Sequence, residues 1–438
     1  MRAIQTGLVV GYGFIVMFIS TAIKGVYQVY FTSLVDHYAV SIETMALVGG
    51  FFGLAQGIYS ALVGKLCDRC GAGHVLLSGM LAAACAFLLF SSSNSFMTFV
   101  LGFLLLAAYA VAALTFVPVS ILIDRYVIPE RRQFAYVLAT NGIAAGLMIL
   151  SPLWIYLDGF ISWPMLCAIL AGVFACLAIV PALLNWMEGI WVPEKVAVQS
   201  ANISSKPKPK PKPKPKPKPK PVSPNITAPL PRYWYLDRRF VLSALAFSGC
   251  GTSMIFIDVH YVPTIQEILS QNETANLFTG TSLSLLGLAE AVGSVLIGYL
   301  VAKKVSLPLL LCLLYIVRCI TLMALALWPE PMMVPLFGIF FGITYMGTVI
   351  IISRLAGSIF GYRYKGFIFG AFFLIHQISG LLTAWLGGLL RVYCGSYFPV
   401  ICFVAIWMAL SAAASLLLSM LKKNDSSDNG GRYQVKYE

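Results

Sequence analysis

Six side chains that can carry charge or a proton sit inside otherwise apolar stretches of this 438-residue chain: Lys24, Asp258, Glu290 and Arg318, with His260 and His376. An ionised group at mid-bilayer costs at least about 2.5–3.5 kcal/mol, so each one retained there is a candidate for holding or moving charge. Lysine and arginine suit the capture of an organic anion. Carboxylates and a neutral imidazole, which titrates near neutral pH, suit proton uptake and release. No nucleophile–base pair, His-rich metal spacing, P-loop or nucleotide motif accompanies them. The chemistry pointed to is binding and proton coupling, with no catalytic residue, no cofactor and no metal.

The elements that must position these groups are membrane spans. The chain has 59% of its residues in the set AVILMFWYC and only 11% charged, against about 25% charged in a soluble domain. A water-soluble fold could not cover that much apolar surface, and a disordered chain would be far more polar. A span needs about 20 mostly apolar residues, and twelve are present: about 7–31, 44–64, 74–92, 96–123, 135–157, 163–186, 240–265, 276–302, 307–328, 332–353, 366–390 and 397–421. The first begins almost at Met1 and has no small-residue cleavage site after it, so it is expected to be a retained span. The fold class expected is all-α and integral to the membrane, with twelve transmembrane helices in two six-helix halves.

The charge pattern sets organisation and orientation. Of 30 Lys and Arg, 27 fall at the termini and in the even-numbered connections, two lie inside spans, and Arg391 stands in an odd-numbered one. Basic connections face the cytoplasm, so both termini are expected there, in a multi-pass protein of a bacterial inner membrane. The net charge of +13 comes almost wholly from residues 195–239, which hold 12 basic side chains and one acid. No basic face remains to read a nucleic acid; the lipid bilayer is the large partner. Residues Lys206–Pro221 are eight consecutive Lys-Pro pairs, which forbid helix and sheet and favour an extended polyproline rod. The expected division is 1–186, an N-terminal six-helix bundle; 187–239, a cytoplasmic linker; 240–421, a C-terminal bundle; and 422–438, a cytoplasmic tail. Most of the ten cysteines lie in apolar runs and read as core residues. Asn272 would be an outward glycosylation acceptor in a eukaryote.

Depth along the spans pairs the charges. Lys24 and Asp258 lie about 10 and 12 Å below one membrane face, at 1.5 Å per residue. Spans 1 and 7 hold equivalent places in the two halves, so this pair is expected to close across a central cavity. Glu290 and Arg318 are each about 20 Å from the other face, on adjacent antiparallel spans. They are expected to form a buried ion pair. Span 4 ends in VPVSILIDRYVIPERRQ and span 10 in TVIIISRLAGSIFGYRYKG, each followed by a glycine-spaced helix. Parallel six-span repeats around a midplane site are one way secondary transporters are built.

Gly64-Lys65-Leu66-Cys67-Asp68-Arg69-Cys70-Gly71 after span 2 is similar to the signature loop of the major facilitator superfamily, although Ala72, Gly73 and His74 replace the basic residues that end it. AIKGVYQVYF in span 1, CGTSMIFIDVHYVPTIQEI in span 7, LLYIVRCI in span 9 and GFIFGAFFLIHQISG in span 11 resemble the monocarboxylate and oxalate:formate porter-like branch, especially its bacterial members. The resemblance implies the twelve-helix superfamily fold, alternating access and no enzymatic activity. It makes Gly64, Asp68, Arg69, Gly71 and Arg125 a conformational gate; on physical grounds alone, Asp68 at a glycine-rich cytoplasmic turn would sit at a helix N-terminus or meet Arg125 or Arg132, either contact being made in one state and broken in the other. Lys24 stands within about a residue of the lysine that family members carry in span 1. Glu290 stands where monocarboxylate transporters carry a functional Asp, but Ser294 replaces their Arg one turn later.

The expectation is a symporter-type secondary transporter of a small organic anion, a monocarboxylate in the first instance, coupled to protons. Lys24, Tyr27, Gln28, Asn141 and His376 would bind substrate, and Asp258, His260, Glu290 and Arg318 would couple protons or form charge pairs. The alternative is an exporter or importer of a larger compound, a drug or a metal chelate such as a siderophore, which aromatic-rich spans would suit.

Overall fold

The computed structural model describes residues 2–183, 185, 233–270, 274–303, 305–361 and 364–428. The Lys-Pro tract, most of the connection containing it, Asn272 and residues 429–438 lie outside the described residues. Every regular element among the described residues is helical. Twelve helices are long and apolar enough to cross a membrane: Thr6–Val29, Ile42–Cys70, Ala72–Ser92, Phe96–Tyr126, Phe134–Asp158, Trp163–Leu183, Arg238–Ile268, Ala275–Ala302, Leu307–Leu327, Met333–Ile359, Lys365–Cys394 and Phe398–Leu421. We number them spans 1 to 12.

The sequence places most of these spans to within a few residues; spans 2 and 10 each run about six residues further than expected, and span 2 is the instructive case. Span 2 does not end near Gly64 but runs on to Cys70. Nothing between Gly64 and Cys70 breaks a helix, and the signature loop is therefore the solvated last turns of a helix. The turn is Gly71 alone, at φ +84°, a value that favours glycine. Its N–H caps the Cys67 carbonyl at 2.9 Å, and span 3 begins at the next residue.

The packing repeats after six spans. Span 1 lies on span 5, span 2 on span 4 and span 3 on span 6; span 7 lies on span 11, span 8 on span 10 and span 9 on span 12. The two sets meet where span 2 packs on span 11 and span 5 on span 8. With apolar lipid on one side and apolar side chains on the other, close helix approach rests on small residues. In span 5 a Cβ on Gly142 would run into the Phe14 carbonyl, and in span 7 one on Gly251 would run into the His376 carbonyl. These are corresponding contacts of the two halves, spans 1–5 and 7–11.

Several spans are not regular α-helices. Span 4 contains a π-helical stretch, Gly102–Ala107, and is interrupted at residues 114–115. Span 10, its counterpart, is interrupted at residues 345–346. Span 7 has a π-helical stretch at Phe256–His260, which holds both Asp258 and His260. π-Bulges insert an extra residue into the ladder and are frequent at functional sites.

Candidate functional site

Lys24, Gln28 and Thr32 are spaced by four on one face of the first helix and the short helix after it, and all three reach residues of span 7. Lys24 Nζ lies 3.2 Å from Asp258 Oδ2. Gln28 Nε2 donates to the Ile257 carbonyl at 2.8 Å, a carbonyl inside the π-helical stretch. Thr32 Oγ1 donates to Gln266 Oε1 at 3.1 Å. The depth argument therefore places Lys24 and Asp258 correctly, and they do meet across the two halves. Thr32 and Gln266 escaped the sequence reading, although the four-residue spacing from Lys24 was the signal for them.

Around the pair the walls are close. Tyr27, Gly49, Phe52, Gly53, Phe103, Ile255 and Val259 line a space of about 20 Å³ beside Lys24 and Asp258, about room for a single water. Tyr27 stacks on Phe103 with centroids 4.8 Å apart and donates its hydroxyl to the Met45 carbonyl at 2.6 Å. Gln28 is buried, 4% exposed, and its amide is engaged with span 7. The Lys24 and Asp258 side chains keep 38% and 27% of their surface.

Other ties between the halves run from that end to the middle of the bundle. Trp385 Nε1 donates to Glu43 Oε1 at 3.0 Å, Ser284 Oγ to the Met148 carbonyl at 2.9 Å, and Gln377 Nε2 to the Gly53 carbonyl. Of the hydrogen bonds described between the first six spans and the last six, all but Gln377–Gly53, which lies near the middle, fall in the half of the bundle away from the basic connections. At that end too, Arg391, which the sequence put in an odd connection and which lies in the last turn of span 11, pairs with Glu267 at 2.8 Å and lies over the Tyr397 ring.

The expected ion pair between Glu290 and Arg318 is not formed as a direct contact. Arg318 is fully buried and spends its donors on neutral oxygens: Nε on Thr344 Oγ1 at 2.9 Å, Nη1 on Ser253 Oγ at 2.6 Å, and Nη2 on the Thr344 and Tyr345 carbonyls at 2.6 and 2.9 Å. Those carbonyls belong to the interruption of span 10, where a helix end leaves acceptors without intrahelical partners. Arg318 caps that end. Phe341 and Tyr315 add ring faces 5.2 and 5.7 Å from its guanidinium carbon. Glu290 is 2% exposed, and its Oε2 has no hydrogen-bond partner among the described residues.

The remaining candidates are dispersed. His260 is fully buried at the seam with span 11, where Nε2 lies 3.2 Å from the Ala384 carbonyl. His376, 7% exposed, stands between Phe247 and Phe373 with centroids 4.9 and 5.3 Å away. Asn141 is half-buried and is level with Phe14, about 15 Å along span 1 from Lys24. Gly64 has only Val117 at van der Waals range of a would-be Cβ. Asp68 and Arg69 are exposed on the last turn of span 2. In this conformer no contact from Asp68 to Arg125 or Arg132 is formed among the described residues: Arg132 pairs with Asp124 at 3.6 Å, and the Arg125 guanidinium carbon lies 5.4 Å from the Tyr126 ring.

This architecture is matched by a family model, the Major Facilitator Superfamily, over residues 13–384. The chain belongs to that superfamily. It is 20% identical over 406 residues to the uncharacterized MFS-type transporter YcxA of Bacillus subtilis (strain 168), covering 89% of this chain and 90% of that one. Its fold is similar to crystal structures of a bacterial homolog of the human lysosomal transporter Spinster. The inward-facing, occupied form superimposes with a TM-score of 0.70 at 13% identity, over 98% of this chain and 99% of that one. The inward-facing, unoccupied form gives 0.67 at 13% identity, over 99% of each chain. Membership of that superfamily supports transport of a small molecule across a bilayer by a multi-pass protein.

Proposed function

We propose that the chain is a proton-coupled secondary transporter of a small organic anion, a monocarboxylate in the first instance, working by alternating access. The observation that supports this is the Lys24–Asp258 pair, a cation and a proton acceptor that share one contact between the halves. Protonation of Asp258 removes the counter-charge of Lys24, which then takes the substrate carboxylate in its place. Substrate and proton are linked through that one balance, and the populations of the two states shift with it. Glu290, buried and with one oxygen unpartnered, is a second proton acceptor on the same path.

In this reading the end of the bundle holding the pair faces outward and is closed, both termini are cytoplasmic, and the membrane is a bacterial inner membrane. Residues 1–186 and 240–421 are the moving bundles, and 187–239 is their tether. The test is uptake by proteoliposomes under an imposed pH gradient, with lactate, pyruvate, oxalate, amino acids and cationic dyes as candidates. A response to carboxylates that requires the gradient and disappears in Lys24→Ala supports the proposal. Unimpaired carboxylate uptake by Lys24→Ala, or a response confined to the larger compounds, overturns it.

A further inference from the structure

Spans 7 and 12 touch near mid-depth and leave a space between them toward the end of the bundle that carries the basic connections. At the touching point a Cβ on Gly249 would run into Ser411, and Trp407 Nε1 donates to Ser248 Oγ at 3.0 Å. About 12 Å nearer the end, at 1.5 Å per residue, lies a groove of about 420 Å³. Leu236, Arg238 and Val241 line it on one side, and Leu417, Met420 and Leu421 of span 12 on the other. Leu236, Val241, Leu417 and Met420 keep 46–66% of their surface, and the volume falls within the range of small-molecule sites, about 300–1,000 Å³.

The groove lies at headgroup level. Tyr233 and Tyr235 are exposed, on and beside the short turn Trp234–Leu236 that leads into span 7. Exposed tyrosines collect where a bilayer meets water. Trp234 holds the turn down, packing on Phe240 and Phe367 with centroids 4.8 and 5.2 Å away.

The charge beside the groove has one sign. Arg238 is exposed and makes no ion pair among the described residues. Its acidic neighbour, Asp237, is committed to Arg239: Oδ1 accepts from the backbone N–H at 2.8 Å and from Nε at 3.1 Å, and Oδ2 accepts from Nη2 at 2.8 Å. Leu421 is followed in sequence by Lys422 and Lys423. An apolar trough with an uncommitted guanidinium at its head suits an acyl chain beneath a phosphate. A zwitterionic headgroup suits it less, since its ammonium finds no free carboxylate there.

We propose that this groove binds one anionic phospholipid of the phosphatidylglycerol type, with the lipid phosphate on Arg238 and an acyl chain along Val241, Leu417 and Met420. Bound there, the lipid bridges the first and last spans of the second six-span set. The site is separate from the Lys24–Asp258 contact and does not depend on the nature of the transported solute. The Lys-Pro tract offers eight further cations but no apolar surface, so retention in the groove and attraction to the tract can be told apart.

The test is native mass spectrometry of the full-length chain, released from detergent after titration with phosphatidylglycerol or with phosphatidylcholine of the same acyl chains. The parent protein is expected to hold one phosphatidylglycerol at least about fivefold more tightly than phosphatidylcholine. Arg238→Gln is expected to erase most of that preference. Met420→Trp, which fills the groove, is expected to weaken both lipids, and deletion of 206–221 to leave the preference unchanged. Arg238 and Met420 are both exposed, so neither substitution removes a core contact. Equal affinity for the two lipids in the parent, or an unchanged preference in Arg238→Gln, overturns the proposal. So does a preference lost with 206–221, which would put the anionic lipid on the tract, or a dimer abolished by Met420→Trp, which would give this face to a second copy of the chain.

Discussion

The Lys24 ammonium and the Asp258 carboxylate meet at 3.2 Å although 234 residues separate them in the chain. Each retains a quarter or more of its side-chain surface, and a pair that is partly solvated is worth about 1 kcal/mol or less. That weakness suits the proposed exchange of Lys24 between Asp258 and a substrate carboxylate. A double-mutant cycle on thermal stability with Lys24→Ala and Asp258→Asn is expected to give a coupling below about 1 kcal/mol. Proteoliposome uptake is expected to fall at least about a hundredfold in Lys24→Ala, whereas Asp258→Asn keeps exchange and loses its dependence on the pH gradient. A large stability coupling with intact transport would make the pair structural.

Arg318 is expected to matter most to stability. Replacing it by Ala leaves the acceptors at the interruption of span 10 buried and unpaired and removes two ring contacts. Each hydrogen bond to a charged group contributes about 1.5–3 kcal/mol, so a loss of at least about 3 kcal/mol is expected. Arg318→Lys recovers only part, since an ammonium cannot reproduce the guanidinium fork. Thermal unfolding in detergent, read for both variants, checks the order.

Glycine substitutions separate close approach from helix propensity. Gly142→Ala and Gly251→Ala push a methyl group against backbone carbonyls of spans 1 and 11, at about 1–3 kcal/mol each. Gly370→Ala, with open space where its Cβ would stand, is expected to stabilise by a few tenths of a kcal/mol up to about 1 kcal/mol. Melting temperatures moving the same way in all three would contradict the packing described.

Asp237, just ahead of span 7, accepts from the Arg239 backbone N–H and from its guanidinium at 2.8–3.1 Å. The side-chain hydrogen bond from Arg239 holds its carboxyl below the usual range. A depressed carboxylate contributes stability above its unfolded value of about 3.9 and loses it as pH falls through the lower folded value. Asp237→Ala is expected to cost about 0.5–2 kcal/mol near neutral pH, and the difference from the parent should begin to shrink below about pH 4 and disappear only as pH falls through the lower folded value. A constant difference across that window would show that the cap acts without its charge.

The spans and the Lys24–Asp258 contact were legible because both rest on one coordinate, depth in the membrane, which counting residues supplies. Glu290 and Arg318 show where that coordinate is insufficient. They are level, yet level residues touch only if their helices also turn the right faces toward each other, and Arg318 faces the broken turn of span 10 instead. That turn was invisible, since Thr344, Tyr345 and Met346 include neither proline nor glycine. Gly71 marked a turn correctly, but the helical state of Gly64–Cys70 was hidden by reading the motif as a loop. His376 stood out as an imidazole in an otherwise apolar span; its ring is enclosed by aromatic side chains from spans 7 and 11.

The ties between the halves are concentrated toward one end, Lys24–Asp258, Gln28–Ile257, Thr32–Gln266, Trp385–Glu43 and Ser284–Met148, with Gln377–Gly53 near the middle. Six such bonds at about 0.5–1.5 kcal/mol each amount to roughly 3–9 kcal/mol favouring this arrangement. A conformer with that end parted would be populated less than about one part in a hundred unless the opposite end gains comparable contacts as it closes. Turnover therefore requires a matching set of attractions among the basic connections, and variants there should change the resting ratio of the two conformers before they change affinity for any solute.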